Sequence, residues 1–174
     1  MPYINKEDRP RLDKFSAALC AGTQNSRDQF LAALWTLFEM VYGTPKAAKG
    51  TRYFMQNELI GVLNCARFEW QRRFNVAGER SELKCEIGCP SWTVSEEISS
   101  ALSEIAGEIG EKGHEQRAGA LNYFLTVTFL RMAGTKLFSR EEVPGIFSEL
   151  AERWYRQVTA PYEDGAIEKN GDCF

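Results

Sequence analysis

Histidine is nearly absent from this sequence: His114 is the single example among 174 residues. A Ser–His–Asp or Cys–His catalyst would have to use this side chain, and no recognisable partner pattern surrounds it. Phosphate-binding loops are missing as well, because "GTPKAAKGT" lacks P-loop spacing and no GxGxxG segment follows a strand-like run. We therefore predict that the protein is not an enzyme and that it binds no cofactor.

The sequence also lacks the paired cysteines of a structural metal site. "CEIGC" holds two cysteines, but a zinc site needs four ligands and no second pair is visible. The sequence shows no charged start followed by an apolar run, which is the pattern of a secretion signal. We therefore predict a cytoplasmic protein with reduced thiols and no bound metal. The cysteines are odd in number: Cys20, Cys65, Cys85, Cys89 and Cys173.

Long apolar runs and excess positive charge are absent too. The densest apolar stretch, "ALNYFLTVTFLRMAG", is shorter than the roughly 20 residues that cross a bilayer. The net charge of −3 argues against general nucleic-acid binding, which usually needs a basic surface. With 44% apolar and 26% charged residues, the composition is that of a globular protein with neither membrane nor general nucleic-acid partners.

Helical patterns fill what remains. Residues 5–19, 26–43 and 55–74 each combine helix-start residues with apolar spacing of three and four. Residues 77–91 lack this periodicity and predict a linker, after which the pattern returns. The later helical segments are 93–113, 114–134 and 139–158, with Ser139 and Glu142 at capping-box spacing.

The two sets of helices align without a gap in their third members. Ile60-Gly61-Val62-Leu63 matches Pro144-Gly145-Ile146-Phe147, and Trp70 and Arg72 match Trp154 and Arg156. This register indicates a tandem duplication of a unit of about 85 residues. The predicted domains are a first three-helix repeat at 1–76, a linker at 77–91 and a second repeat at 92–174.

The second helix of each half is apolar nearly all round, as "FLAALWTLF" and "LNYFLTVTFL" show. Such a helix should be buried on more than one face, which a lone three-helix unit cannot provide. We therefore predict an all-α protein in which two homologous three-helix halves pack as one pseudo-twofold six-helix domain.

The two ends carry a resemblance. "MPYINKEDRPRLD" and "APYEDGAIEKNGD" resemble the ends of a small uncharacterised family from phages and prokaryotes, usually a single copy that closes with an APYED segment. The first half here keeps the opening segment, and the second half keeps "GALNY" and the closing segment. The resemblance implies a small cytoplasmic accessory protein of a phage or prokaryote, and it implies no established activity.

The surviving ends supply the first candidate binding residues. We expect the opening and closing segments to meet, with the acids of the closing segment near Arg9 or Arg156. The alternative is that the closing segment only caps the last helix and docks its tyrosine on the core. In either case Pro161 should end the third helix, Ile167 should be a second anchor and Asn170-Gly171 should form a turn. The candidates are Asp8, Arg9, Tyr162, Glu163 and Asp164.

Arginines supply the remaining candidates, Arg72, Arg73 and Arg156. Because Arg72 and Arg156 are equivalent in the repeat, they are predicted to line one cleft that suits a phosphate or carboxylate. The alternative is an exposed face on which they form helix salt bridges with Glu69 and Glu152.

These features favour a phage-type accessory protein that acts stoichiometrically, by contacting and inhibiting a host immune effector. Sequestration of a nucleotide signal in the arginine-lined cleft is one alternative. A Mg²⁺-dependent nucleotide pyrophosphohydrolase is another, because Glu149 and Glu152 lie one turn apart on the third helix.

Overall fold

The computed structural model describes residues 4–24, 26–43, 51–74 and 94–171, and these are almost entirely helical. No strand occurs within them beyond an isolated bridge between Ala133 and Phe138, so the all-α prediction is confirmed. The predicted linker 77–91 lies outside the described residues. The helices are α1 (Arg9–Thr23), α2 (Arg27–Tyr42), α3 (Thr51–Phe74), α4 (Glu96–Gly110), α5 (His114–Met132), α6 (Val143–Trp154) and α7 (Ala160–Asn170).

Helix starts follow the sequence signals. Ser26 accepts a hydrogen bond from the backbone N–H of Gln29 at 3.3 Å, and Ser95 accepts one from Ile98 at 3.4 Å. Each satisfies a donor that the first turn leaves without an intrahelical partner. In the turn before α6, Glu142 Oε2 accepts from the backbone N–H of Ser139 at 2.8 Å, which has the spacing of the predicted capping box, but the helix begins three residues later, with Glu142 itself as N-cap.

The two halves interleave. Helix α1 packs chiefly on α5, α4 packs on α2, and α3 packs on α6. The first helix of each half thus covers the second helix of the other half. One continuous apolar core contains residues from all six of these helices, which confirms that the halves form one packed unit. A pseudo-twofold relation between them remains a prediction.

Aromatic side chains fill the centre of this core. Trp154 is fully buried at the end of α6, with Trp35 at 5.5 Å and Phe38 at 6.5 Å between ring centroids. Phe129 of α5 similarly contacts Phe30 of α2, with ring centroids 5.4 Å apart. Burying side chains of this size contributes about 1.5–3 kcal/mol each, so the cross-half contacts stabilise the interleaved arrangement.

Helix α6 does not end at Pro161. A π-helical segment, Tyr155–Thr159, joins α6 to α7, and the Ala160 N–H donates to the Tyr155 carbonyl five residues back. After this wider turn a new helix begins, so Pro161 lies in the first turn of α7. The N–H that proline lacks would have no intrahelical partner at this position, so no hydrogen bond is lost. The prediction that Pro161 ends the third helix is therefore wrong. The helix continues to Asn170 and ends at Gly171, whose φ of +85° suits glycine.

None of the described helices combines the length and the hydropathy needed to cross a bilayer.

Candidate functional site

Three tyrosines and one glutamate form a cluster where α7 meets the start of α3. The hydroxyls of Tyr53 and Tyr155 each donate to Glu163, at 2.8 Å to Oε1 and 2.8 Å to Oε2. The ring of Tyr162 stacks on that of Tyr53, with centroids 5.8 Å apart and an interplanar angle of 21°. We call Tyr53, Tyr155, Tyr162 and Glu163 the tyrosine cluster; it joins the first half to the second.

The rings of the tyrosine cluster face solvent. Tyr53 is 40% exposed, Tyr155 is 44% exposed and Tyr162 is 37% exposed. The hydrogen bond to Glu163 and the negative charge beside it raise the pKa of Tyr155, so this hydroxyl stays protonated and keeps donating. Exposed aromatic rings whose polar ends are already held in place are characteristic of protein-binding surfaces.

The structure places the two predicted end segments on different neighbours. Asp8 lies 3.4 Å from Lys112 Nζ, and the Arg9 guanidinium lies 5.6 Å from the centre of the Tyr123 ring. Tyr162 and Glu163 instead contact tyrosines of α3 and the π-helical segment. The opening segment therefore docks at α4 and α5, whereas the closing segment docks at α3.

Within the closing segment, Tyr162 does reach the first half, as the sequence predicted, through its stacking on Tyr53. The predicted arginine partners of Glu163 are wrong, because two tyrosine hydroxyls occupy its carboxylate. Asp164 is exposed. Ile167 is 42% exposed, so its predicted role as a second anchor is also wrong.

Arg72 and Arg73 both bind Glu69 on their own helix. Glu69 accepts from Arg72 Nε and Nη2 at 3.0 and 2.7 Å and from Arg73 Nε at 2.5 Å. These hydrogen bonds lower the pKa of Glu69 to about 2. Arg156 lies 3.8 Å from a carboxylate oxygen of Glu152, so the helix salt bridges of the alternative prediction are present.

The two equivalent arginines line separate clefts. Arg72 borders a cleft of about 630 Å³ between α3 and α5, and Arg156 borders one of about 400 Å³ between α3 and α6. The second arginine in the cleft of Arg156 is Arg67, which donates from Nη1 to Ser148 Oγ at 2.8 Å. One arginine from each half therefore does line a common cleft, but Arg67 takes the place predicted for Arg72.

Sequence reasoning missed a buried polar network around Glu58. This side chain is 3% exposed and accepts from Arg117 Nε at 2.8 Å and Nη2 at 2.9 Å. It also accepts from the Tyr42 hydroxyl at 2.9 Å and is hydrogen-bonded to His114 Nδ1. Burial raises the pKa of Glu58, but the hydrogen bonds from Arg117 and Tyr42 outweigh it, so the net pKa is lowered. The single histidine thus supports a structural carboxylate that ties α2, α3 and α5 together.

A related ion pair also crosses between the two halves. Arg27 at the start of α2 donates to Glu142 at 3.0 Å, as Arg117 near the start of α5 donates to Glu58. Glu58 and Glu142 occupy the same position in the ungapped register that aligns Trp70 with Trp154. The repeat therefore contained a signal for the two glutamates but not for their arginine partners. Each pair links the third helix of one half to the second helix of the other.

The metal-dependent alternative depends on Glu149 and Glu152. Residues 4–24, 26–43, 51–74 and 94–171 contain no group of three or more His, Cys, Asp or Glu side chains placed to hold a metal ion. Glu149 and Glu152 have Arg156 as their cationic neighbour, at 4.0 and 3.8 Å.

The comparisons with known proteins identify a family without an assigned activity. The model of the family described as Domain of unknown function (DUF6899) matches the chain twice, at residues 1–86 and at residues 93–173. The chain therefore belongs to this family and carries two copies of its domain, which confirms both the resemblance and the duplication. No curated protein and no solved structure gave a match.

Proposed function

We propose that this protein acts stoichiometrically by binding another protein, in the manner of a phage counter-defence inhibitor that contacts a host immune effector in the cytoplasm. The observation that carries the proposal is the tyrosine cluster. Its rings are exposed, and Glu163 holds two of their three hydroxyls at 2.8 Å. The phage origin and the immune target derive from the resemblance of the two ends and from the missing catalytic motifs.

The tyrosine cluster has the energetic features of an interface centre. Tyrosine is enriched among the residues that contribute most to binding, since a large ring buries much area with few rotatable bonds. Because Glu163 and the Tyr53–Tyr162 stack already restrict these side chains, binding would cost little further side-chain entropy.

Protein binding through the tyrosine rings is also consistent with the hydrogen bonds of the other prominent charged side chains, which are already engaged within the protein. Glu58 has both carboxylate oxygens engaged by Tyr42, Arg117 and His114, which gives it a structural role. Arg72 and Arg73 are engaged by Glu69. The tyrosine rings, by contrast, present apolar faces to solvent, where only a partner would cover them.

A second candidate function is the capture of a nucleotide signal in the cleft between α3 and α6. The observation that favours it is the pairing of Arg67 and Arg156, one from each half, in a cleft of about 400 Å³ with Tyr155 at its border. This volume lies in the range of small-molecule sites, and the arginines suit phosphate while an aromatic ring suits a base.

Affinity purification with the tagged full chain in lysate of a prokaryotic host tests the proposal. We expect a partner at a fixed ratio, lost from the Tyr53→Ala/Tyr162→Ala variant and retained by Leu130→Ala, which removes an exposed apolar side chain elsewhere. Recovery of the same partner at the same yield with the double tyrosine variant would contradict the proposal. Calorimetry with a panel of nucleotides tests the second candidate, by comparing nucleotide binding to the wild type with binding to the Arg156→Glu variant.

A further inference from the structure

Phe68 of α3 projects an apolar ring into solvent. It is 57% exposed, and no other large apolar residue in the described part of the chain is more exposed. The ring is nevertheless held in place, because the Arg67 guanidinium lies over it, 4.5 Å from the ring centre, and Arg67 also donates to Ser148 Oγ at 2.8 Å. A partner could therefore bury this ring at little further cost in side-chain entropy.

The cleft of about 630 Å³ between α3 and α5, which we call the α3–α5 cleft, lies beside this ring. A Cβ added at Gly61 would meet no other atom within 4 Å, so the surface is hollow at this point and another side chain can approach the backbone of α3. The same stretch of α3 thus carries a projecting ring and an open hollow. The small and apolar residues of the cleft are Gly61, Val62, Cys65, Phe68, Ala118 and Gly119.

The second half of the chain does not repeat this apolar surface. In the ungapped register of the third helices, Cys65 corresponds to Glu149 and Phe68 corresponds to Glu152. Glutamate suits a helix face in contact with water, whereas cysteine and phenylalanine together suit a face that is covered. This face of α3 therefore has the composition of a contact surface, and the equivalent face of α6 does not.

The ring and the hollow lie at similar distances on either side of Cys65. Phe68 follows Cys65 by three residues, and Gly61 precedes it by four, so they lie about 4.5 and about 6 Å from it along the helix axis. These spacings of three and four place all three residues on one face of α3. If two copies of α3 cross antiparallel with Cys65 at the centre, each Phe68 ring meets the hollow at Gly61 of the other copy. A twofold contact requires self-complementarity of this kind.

The charges around the cleft also permit two identical surfaces to meet. In a twofold pair a charged patch approaches its own copy, so an unbalanced patch would repel itself. Here Glu69 is bound by Arg72 and Arg73, and Glu58 is bound by Arg117. The charged side chains that line the cleft are therefore already paired within the chain. These pairs disfavour an occupant recognised by its charge and favour an apolar one.

We infer that two copies of this protein pair through α3, with the Phe68 ring of each copy in the α3–α5 cleft of the other. This surface goes beyond the proposed function, because none of the described residues that line the cleft belongs to the tyrosine cluster. Tyr53 lies about 18 Å before Cys65 along α3. The pair therefore leaves the tyrosine cluster available to a different protein.

Sedimentation equilibrium of the full chain, from about 1 to about 100 µM, tests this inference. We expect a monomer–dimer equilibrium for the wild type. Phe68→Glu removes the ring and Gly61→Leu fills the hollow, so each should weaken pairing about tenfold or more. The matched controls are Leu130→Glu, at an exposed apolar residue outside the cleft, and Gly107→Leu, where an added Cβ also meets open space on α4. Both controls should pair like the wild type.

Thiol cross-linking gives a second measurement, of the geometry of the pair. Cys65 is exposed at the centre of the inferred contact, so a short bismaleimide should join Cys65 of one chain to Cys65 of another. Mass spectrometry identifies the joined peptides. Phe68→Glu should abolish the cross-link and Leu130→Glu should not. The chain used keeps Cys20 and Cys65 and has serine in place of Cys85, Cys89 and Cys173.

Three results would overturn the inference: a wild-type chain that stays monomeric over the whole range, pairing of Phe68→Glu as tight as that of the wild type, or cross-links that do not join Cys65 to Cys65. Pairing that is lost from the Tyr53→Ala/Tyr162→Ala variant but kept by Phe68→Glu would place the contact at the tyrosine cluster and would also overturn it. The proposed function is tested separately, since the lysate partner should still bind Phe68→Glu.

Discussion

Arg117 binds Glu58 across the two halves through two hydrogen bonds, from Nε to Oε1 at 2.8 Å and from Nη2 to Oε2 at 2.9 Å. Both side chains are nearly buried, at 11% and 3% exposure. A buried ion pair stabilises little relative to apolar residues, but the loss of one partner leaves a charge without compensation. The pair therefore fixes which helices meet more than it adds to stability.

Arg117→Met should lower the free energy of unfolding by about 3–5 kcal/mol, because it leaves the Glu58 carboxylate buried without its cation. Urea denaturation followed by circular dichroism measures this. Arg72→Met, on an exposed side chain, should change stability by no more than about 0.5 kcal/mol. Equal effects of the two substitutions would show that the Glu58 network is not a buried structural pair.

Stability should decrease below the ordinary pKa of glutamate. The folded-state pKa values of Glu58 and Glu142 are lowered from 4.5 by their hydrogen bonds, which outweigh burial. A group with a depressed folded pKa contributes stability that is present above its unfolded pKa and is lost as pH falls through the folded value. Unfolding free energies measured from pH 6 down to pH 3 should fall below about pH 4.5, and the fall should be shallower in Glu58→Gln. An identical slope in that variant would contradict the assignment.

Replacing Gln56 should stabilise the free protein. Met is close to Gln in volume and has no acceptor to desolvate, so Gln56→Met should raise the free energy of unfolding by about 1 kcal/mol. Thermal and chemical denaturation measure this without any ligand. A loss of stability would show that the Gln56 amide is already satisfied in the free chain.

Helix positions and the duplication were accessible from the sequence because short-range patterns encode them. The Ser26 cap and the Trp70–Trp154 register required only short-range patterns. The Glu58–Arg117 pair required knowing that α3 contacts α5, which no local pattern states. Pro161 was misassigned because a proline marks a helix end only where no new helix begins around it. Here the π-helical segment leads directly into α7, and Pro161 lies in the first turn of that helix.

The tyrosine cluster shows the same limit. Tyr162 and Glu163 were singled out from the closing segment, but their partners Tyr53 and Tyr155 were not. A carboxylate near a helix end suggested arginine partners on electrostatic grounds. Tyr53 lies 110 residues away in sequence, and it reaches Glu163 only because α3 packs on the π-helical segment that leads into α7.

Because each half covers the other, the two halves should depend on one another. A chain cut by an inserted protease site between residues 77 and 91 should remain a complex of two fragments in native buffer, since α1 packs on α5 and α4 on α2. Gel filtration under native and denaturing conditions measures this. Fragments that separate and keep their helical circular dichroism would contradict interleaving.

The most direct measurement of the central claim is hydrogen–deuterium exchange of the chain alone and in complex with the protein recovered from host lysate. The account predicts slower exchange on binding at the start of α3 and from Tyr155 to Asn170, where the tyrosine cluster lies. It predicts no change in α1 and α4. Protection confined to α1 and α4, with Tyr53 and Tyr162 peptides unchanged, would contradict it.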